Sequence, residues 1–279
     1  MPDDFDYCET LVREGDKDRF VAALFAPRQH RRSLYALYAF NIELARVREL
    51  AREPMPGEIR LQWWRDVLGG LRTGEAGPVA SALITTVARY RLPVDVLLEM
   101  IEARSFDLYD DPMGSLSELE AYADKTSSAL MTLAAQIIND GQETGVAEPA
   151  RHAGIAYAIA GLLTALPLHA ASRQLYIPLD LIERHGARPD NVFARNGTPG
   201  LKVALAELRD VARRHLSQLT IADIPQVLVP AFLPAALAAP MLKRQERDVD
   251  PFSPSPLPLW RRQWLLWRAA RHPRRIVDR

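Results

Sequence analysis

Apolar residues along this chain recur at helical spacing almost everywhere and alternate at strand spacing almost nowhere. Leu34, Leu37, Tyr38, Asn41, Ile42 and Ala45 share one face of a helix expected from Pro27 to about Arg52, which the Glu53-Pro-Met-Pro-Gly57 loop stops. Two shorter helices precede it, Asp3 to Val12 before Gly15 and Asp18 to Phe25 before Pro27. Three follow: Glu58 to Leu71 with the Trp63-Trp64 pair and an exit through Gly74 and Gly77, Pro78 to Arg91, and Leu92-Pro93 to about Tyr109, ended by Asp110-Asp111-Pro112. Ser115-Leu-Ser-Glu118 has the spacing of a capping box and opens a helix to Asn139 with a break near Asp124. Glu148 to Ala171 reads as a long apolar helix carrying Pro167 in its last turns. A polar loop over Arg184 to Gly200, an amphipathic helix from Leu201 to Thr220 and a last helix from Leu259 to His272 complete the series.

Roughly ten helices with short connections predict a single all-α domain. It is expected over 1–247, followed by a Pro-rich linker over 248–258 and a basic, Trp-rich helix over 259–279. No internal repeat or low-complexity stretch interrupts this reading, and Asn196-Gly197 sits between a loop and a helix start rather than between strands. Ile224 to Leu242 is uncharged for 19 residues, close to a bilayer-spanning length. Its prolines, at 225, 230, 234 and 240, break helical hydrogen bonding and favour a buried, interrupted core segment.

Composition changes this picture little: 279 residues, 48% hydrophobic and 25% charged, are ordinary for a soluble domain. The formal charge is zero, so no whole-chain electrostatics favours nucleic acid. The C-terminal stretch from Trp260 stands apart, with seven Arg (261, 262, 268, 271, 274, 275, 279) against Asp278, which leaves it +6 and the remainder −6. Cys8 is the only cysteine, so neither an internal disulfide nor a thiolate metal cluster can form. The acidic start Met-Pro-Asp-Asp-Phe-Asp has no features of a signal or transit peptide, and a bacterial cytoplasmic protein is expected. No dinucleotide, P-loop or nucleophile-elbow motif occurs, and the histidines (30, 152, 169, 185, 215, 272) lack zinc-site spacing.

Several landmarks, taken in order, carry a resemblance. They are Asp18-Arg-Phe20, Leu24-Phe-Ala-Pro27, Arg32-Ser-Leu-Tyr-Ala-Leu-Tyr-Ala-Phe40, Tyr122-Ala-Asp-Lys-Thr-Ser-Ser-Ala-Leu130 and Tyr176-Ile-Pro-Leu-Asp-Leu181. Over about residues 15 to 245 the chain resembles the squalene/phytoene synthase family of head-to-head prenyl transferases. The resemblance implies an isoprenoid-synthase-like single helical domain around a central cavity. Active members ionise an allylic diphosphate with Mg²⁺ held by aspartates on two facing helices, because Mg²⁺ takes hard oxygen ligands and neutralises the leaving group. At the first of these motifs stands Ala45-Arg46-Val47-Arg48-Glu49, and the second falls on Ala165 and His169 in a stretch without an acid from 149 to 179. Arg60-Leu-Gln-Trp-Trp-Arg-Asp66, Glu102-Ala-Arg-Ser-Phe-Asp-Leu108 and Thr126-Ser-Ser-Ala-Leu130 resemble the branch of the mitochondrial complex I assembly factor and its bacterial relatives. That branch lacks the aspartates. The resemblance therefore implies a pseudoenzyme that takes no cofactor and assists assembly of respiratory NADH dehydrogenase, in contact with complex I subunits or assembly proteins.

The alternatives are an active prenyl transferase with displaced Mg²⁺ ligands, for instance Asp107 and Asp111, and a protein that keeps an isoprenoid or lipid in the cavity. Asp107 and Asp111 read otherwise as a solvated helix end, and His169 as a hydrogen-bonded core residue. Arg31, Arg32, Arg46 and Arg48 form a candidate anion-binding set, since guanidinium holds phosphate without a metal; a salt bridge from Arg46 to Glu43 or Glu49 is the plainer reading. Trp260, Trp264 and Trp267 lie with Leu257 near one helical stripe, with Arg261, Arg262, Arg268 and Arg271 around it. That pattern suits an anionic membrane surface at the cytoplasmic face of the inner membrane, or a helix docked through its Trp stripe.

Overall fold

Helix α1 (Asp4–Gly15) starts on a reciprocal cap in which Asp3 accepts from the Asp6 N–H and Asp6 accepts from the Asp3 N–H. Asp16 then caps α2 (Lys17–Ala23), and Pro27 leads into α3 (Arg28–Ala45). The computed structural model describes residues 3–50, 53–71 and 77–277, and no strand occurs among them. Every residue from 33 to 42 is buried, so α3 is surrounded rather than laid on a surface. Helices α1, α2 and, further along the chain, α6 (Pro78–Tyr90) and α9 (Ala129–Ile138) pack around it.

The expected helix to Arg52 stops at Ala45. Arg46 leaves helical geometry (φ −99, ψ 4), and a short helix α4 (Val47–Leu50) follows it. The turn places Val47 in the core and sends Arg48 to three backbone carbonyls. Residues 51–52 lie outside the described residues, as do Gly74 and the Asp278-Arg279 tip. In α5 (Pro54–Leu68), Trp64 is fully buried edge-on to Phe40 at 4.8 Å, while Trp63 is half-buried beneath Arg60 at 4.5 Å. Helix α7 (Val94–Ser105) ends before the expected Tyr109, in a 3₁₀ turn over Phe106–Leu108.

Ser115 caps α8 (Leu116–Ala123) as its spacing predicts, although the Glu118 carboxylate accepts from the Gly114 N–H, at 3.1 Å, and the Ser115 hydroxyl, at 3.3 Å, rather than from the Ser115 N–H. The break expected near Asp124 is a π-helical turn over Asp124–Ser128. It lies against α10 (Ala147–Thr164), where Gly154 lets the two backbones touch and Ser128 Oγ donates to the Arg151 carbonyl at 3.1 Å.

The helix expected from Glu148 to Ala171 is also broken, at Ala165 (φ −85, ψ 4). Pro167 supplies the reason: it has no N–H to donate and disfavours helix in the residue before it, but is tolerated in the first turn of a new helix. It occupies that turn in α11 (Leu166–Ala171). Two short helices follow, α12 (Leu179–Arg184) and α13 (Pro189–Phe193), the second inside the stretch expected as loop. Helix α14 (Pro199–Gln218) packs along α10.

The uncharged stretch is interrupted core. It runs through 3₁₀ turns over Gln226–Leu228 and Leu233–Leu237, with α15 (Val229–Phe232) between them and α16 (Ala238–Gln245) after. Gln226–Gln245 has the length and hydropathy of a membrane span, yet 72% of its apolar window is buried inside the protein. Residues 248–258 carry no helix, though Phe252 and Leu257 are buried. Helix α17 (Leu259–Arg271) docks through Leu266 and Ala269, with Ile276 of the following turn, and not through tryptophan. Trp260, Trp264 and Trp267 remain 69%, 46% and 44% exposed, so Leu257 is not part of their stripe.

Candidate functional site

A cavity of about 450 Å³ lies between α3 and α10, and the two helix breaks stand at it. Ala45 and Arg46 come from the first break and Ala165 from the second. The structure thus brings together three of the five positions that the sequence assigns to lost metal motifs. The other two are elsewhere. Glu49 is exposed and accepts from Arg46 Nε at 3.2 Å, whereas the His169 ring lies tilted against Tyr176, 4.6 Å between ring centres.

The remaining wall is rich in arginine and hydroxyl groups. Arg19, Arg104 and Arg262 line it together with Tyr122, Tyr157, Ser127 and Asn41. Asp16 is the one carboxylate among the described lining residues, and it is held by Arg19 at 2.7 Å. Arg262, read from the sequence as a membrane contact, turns inward and bonds the buried Asp18. Burial pushes the Asp18 carboxyl above its usual range, against the pull of Arg262. The family resemblance calls for Mg²⁺ here, and this donor set does not fit it: guanidinium groups repel the ion, and the lone acid is taken. Among the described residues no group of three His, Cys, Asp or Glu is arranged to hold a metal ion.

Asp107 is not the solvated helix end that the sequence suggested. It is 5% exposed and accepts from Tyr122 Oη at 2.9 Å, Tyr176 Oη at 2.7 Å and Arg104 Nη1 at 3.0 Å. Asp111 is exposed and takes no part, so the pair offers no displaced metal site. The hub anchors one wall of the cavity, because Arg104 and Tyr122 face the space as well as Asp107. Burial raises the phenols of Tyr122 and Tyr176 well above their usual range, which keeps both as neutral donors.

The four arginines proposed as an anion set do not converge. Arg31 donates to the Ala26 and Leu24 carbonyls, closing the turn after α2. Arg32 pairs with Asp3 and Asp6 over the Phe5 ring. Arg48 donates to the carbonyls of Asp107, Tyr109 and Ser172 at 2.9 to 3.1 Å and to Asp110 at 2.5 Å. Only Arg46 reaches the cavity.

Sequence spacing gave no hint of Arg19, Arg104 or Tyr157, whose proximity is created by helix crossing. It equally missed a histidine pair: His152 Nδ1 and His215 Nδ1 are 2.9 Å apart, with Glu148 and Glu120 each 3.2 Å from the outer nitrogens.

Burial depresses His169 to about 4, with only weak opposition from Asp107. The unfolded chain, titrating near the usual 6.5, binds the proton more readily, so this residue withdraws stability as pH falls from about 6.5 to about 4. His169→Asn is expected to flatten that part of the stability–pH curve in thermal melts between pH 7 and pH 4, leaving the neutral plateau nearly unchanged. An unaltered acid limb would place its cause in other groups.

The sequence pattern described as squalene/phytoene synthase matches residues 12–268. The chain is 31% identical over 277 residues to NADH dehydrogenase (ubiquinone) complex I, assembly factor 6 of Rattus norvegicus, covering 95% of this chain and 83% of that protein. It is 24% identical over 205 residues to phytoene synthase of Thermus thermophilus, covering 73% and 69%. Among solved structures, squalene synthase from Alicyclobacillus acidocaldarius superposes with a TM-score of 0.75 at 23% identity, over 90% of this chain and 95% of that one.

Proposed function

The chain belongs to the squalene/phytoene synthase family, and from that premise we propose that it is a non-catalytic member assisting assembly of respiratory complex I. The observation that carries the proposal is the cavity wall. Where prenyl-transfer chemistry needs two facing carboxylate clusters, α3 and α10 present Ala45, Arg46 and Ala165. The similarity to complex I assembly factor 6 over nearly the whole chain supports the assembly role. No cofactor is required by this reading, and the partner is a complex I subunit or another assembly protein.

The protein acts, in this proposal, at the cytoplasmic face of the inner membrane as a peripheral protein. The support is α17, whose three tryptophans face outward with Arg268 and Arg271 stacked on Trp264 and Trp267, 5.0 and 4.4 Å from the ring centres. Aromatic rings framed by cations suit the headgroup layer of an anionic bilayer.

A deletion strain is expected to lose most of its assembled NADH dehydrogenase while its squalene-type lipids stay at wild-type levels. Purified protein incubated with prenyl diphosphates and Mg²⁺ is expected to form no condensation product. Product formation above the no-enzyme control, or lipid loss with normal NADH dehydrogenase, would overturn the proposal in favour of a prenyl transferase.

A further inference from the structure

A second concave site lies outside the central cavity, between α16, α17 and the 3₁₀ turn over Pro273–Ile276, with a volume of about 400 Å³. Its polar lining is entirely cationic. Lys243, Arg244 and Arg247 come from α16 and the turn after it, Arg261 and Arg268 from α17, and Arg275 from the last turn. No carboxylate stands among its described lining residues.

Among the described residues, the acids at the end of α16 and in the segment after it are engaged elsewhere. Glu246 pairs with Arg213 at 2.6 Å, Asp248 accepts the Ser255 N–H at 3.2 Å, and Asp250 accepts from the Phe252 N–H and Ser253 Oγ, each at 3.0 Å. Two of the arginines are positioned by neighbours: Arg244 Nε donates to the Ser255 carbonyl at 2.5 Å, and Arg268 lies over Trp264. The like charges of α16, the turn after it and α17 repel one another, and a multivalent oxyanion relieves that repulsion while guanidinium forks give it directed hydrogen bonds.

We infer that this groove binds the phosphate of an anionic membrane lipid. The volume falls within the range of small-molecule sites. Leu257 and Leu265 give it an apolar side, and Trp264 both lines it and belongs to the outward tryptophan face of α17. A soluble phosphate ester makes no use of that face, whereas a lipid presents its phosphate and its acyl chains to the two parts at once. The inference rests on the membrane reading above and adds to it a specific headgroup site with residues outside α17.

The test is co-flotation of the full chain with neutral phosphatidylcholine vesicles and with vesicles containing phosphatidylglycerol. The native protein is expected to prefer the anionic vesicles, and the preference to fall with added salt. Joint replacement of the exposed Lys243, Arg247 and Arg261 (Lys243→Gln, Arg247→Gln, Arg261→Gln) is expected to weaken binding to anionic vesicles on the order of 100-fold, at about 1 kcal/mol per charge. Its melting temperature and its binding to neutral vesicles should match the native values. Undiminished binding of the triple variant to anionic vesicles overturns the groove. So does equal native binding to both vesicle types, which leaves the membrane reading intact, whereas native binding to neither overturns both. Saturable thermal protection by inorganic pyrophosphate, without any preference for anionic vesicles, overturns the lipid assignment.

Discussion

Asp107→Ala is expected to destabilise the protein by about 3–5 kcal/mol, the range for removing one partner of a buried ion pair. Arg104 is the reason. Its guanidinium is largely buried and pairs with the Asp107 carboxylate at 3.0 Å, with Tyr122 Oη at 2.7 Å beside it. Alanine leaves that charge without a counter-ion and strips Tyr122 and Tyr176 of their common acceptor. For a chain of this size the melting temperature should fall by roughly 10 °C, read by circular dichroism. Asp107→Asn, which keeps the volume and one acceptor, should fall between. A loss of only about 1 kcal/mol, the value of an exposed pair, would mean that water reaches Arg104 once the carboxylate is gone.

Gly154→Ala should be nearly as damaging, for a steric reason. A Cβ at this position would sit 2.4 Å from Ser128 Oγ and 2.5 Å from the Ser128 Cα and backbone N. A side-chain oxygen can rotate away, but the backbone of the π-helical turn cannot move without separating α10 from α8 and α9. Overpacking of this kind costs about 3 kcal/mol at the upper end of its usual range. Gly161 provides the control within the same helix, since an added Cβ there meets nothing within 4 Å. Gly161→Ala should therefore leave stability unchanged or raise it by up to about 1 kcal/mol through helix propensity. Equal melting temperatures for the two variants would show that the turn at Ser128 yields.

The periodicity of Leu34 to Ile42 was enough to place the central helix, and proline spacing was enough to predict that 224–242 would be broken and buried. What the sequence hid was where helices stop when no Gly or Pro marks the place. Nothing at Arg46 reads as a terminator, because its break is set by distant groups, the carbonyls of Asp107, Tyr109 and Ser172 that Arg48 reaches. At Ala165 the signal is present in Pro167, which opens α11 rather than lying in the last turns of one long helix. The absence of carboxylates at 45, 46 and 165 is legible position by position. The arginines and tyrosines now around the cavity were not, because they come from separate helices and meet only through packing. The burial of Asp107 is hidden for the same reason: its neighbours Asp110, Asp111 and Pro112 suggest solvent, while its partners Tyr122 and Tyr176 lie far along the chain.

The two breaks have an electrostatic consequence. Helices α3 and α10 both end at the cavity, so two C-terminal ends, each with a partial negative charge near half an electron, point toward one space. Carboxylates there would add to that field and would be tolerable only with divalent cations between them. Arg46 at the first end, with Arg19, Arg104 and Arg262 around the wall, answers the same field without any ion. Ala45, Arg46 and Ala165 therefore add no negative charge at these two ends that would call for a divalent cation. An aspartate introduced at 45 or 165 would face a negative helix terminus, and the guanidinium groups around the wall already have carboxylate partners: Arg46 with Glu49, Arg19 with Asp16, Arg104 with Asp107 and Arg262 with Asp18.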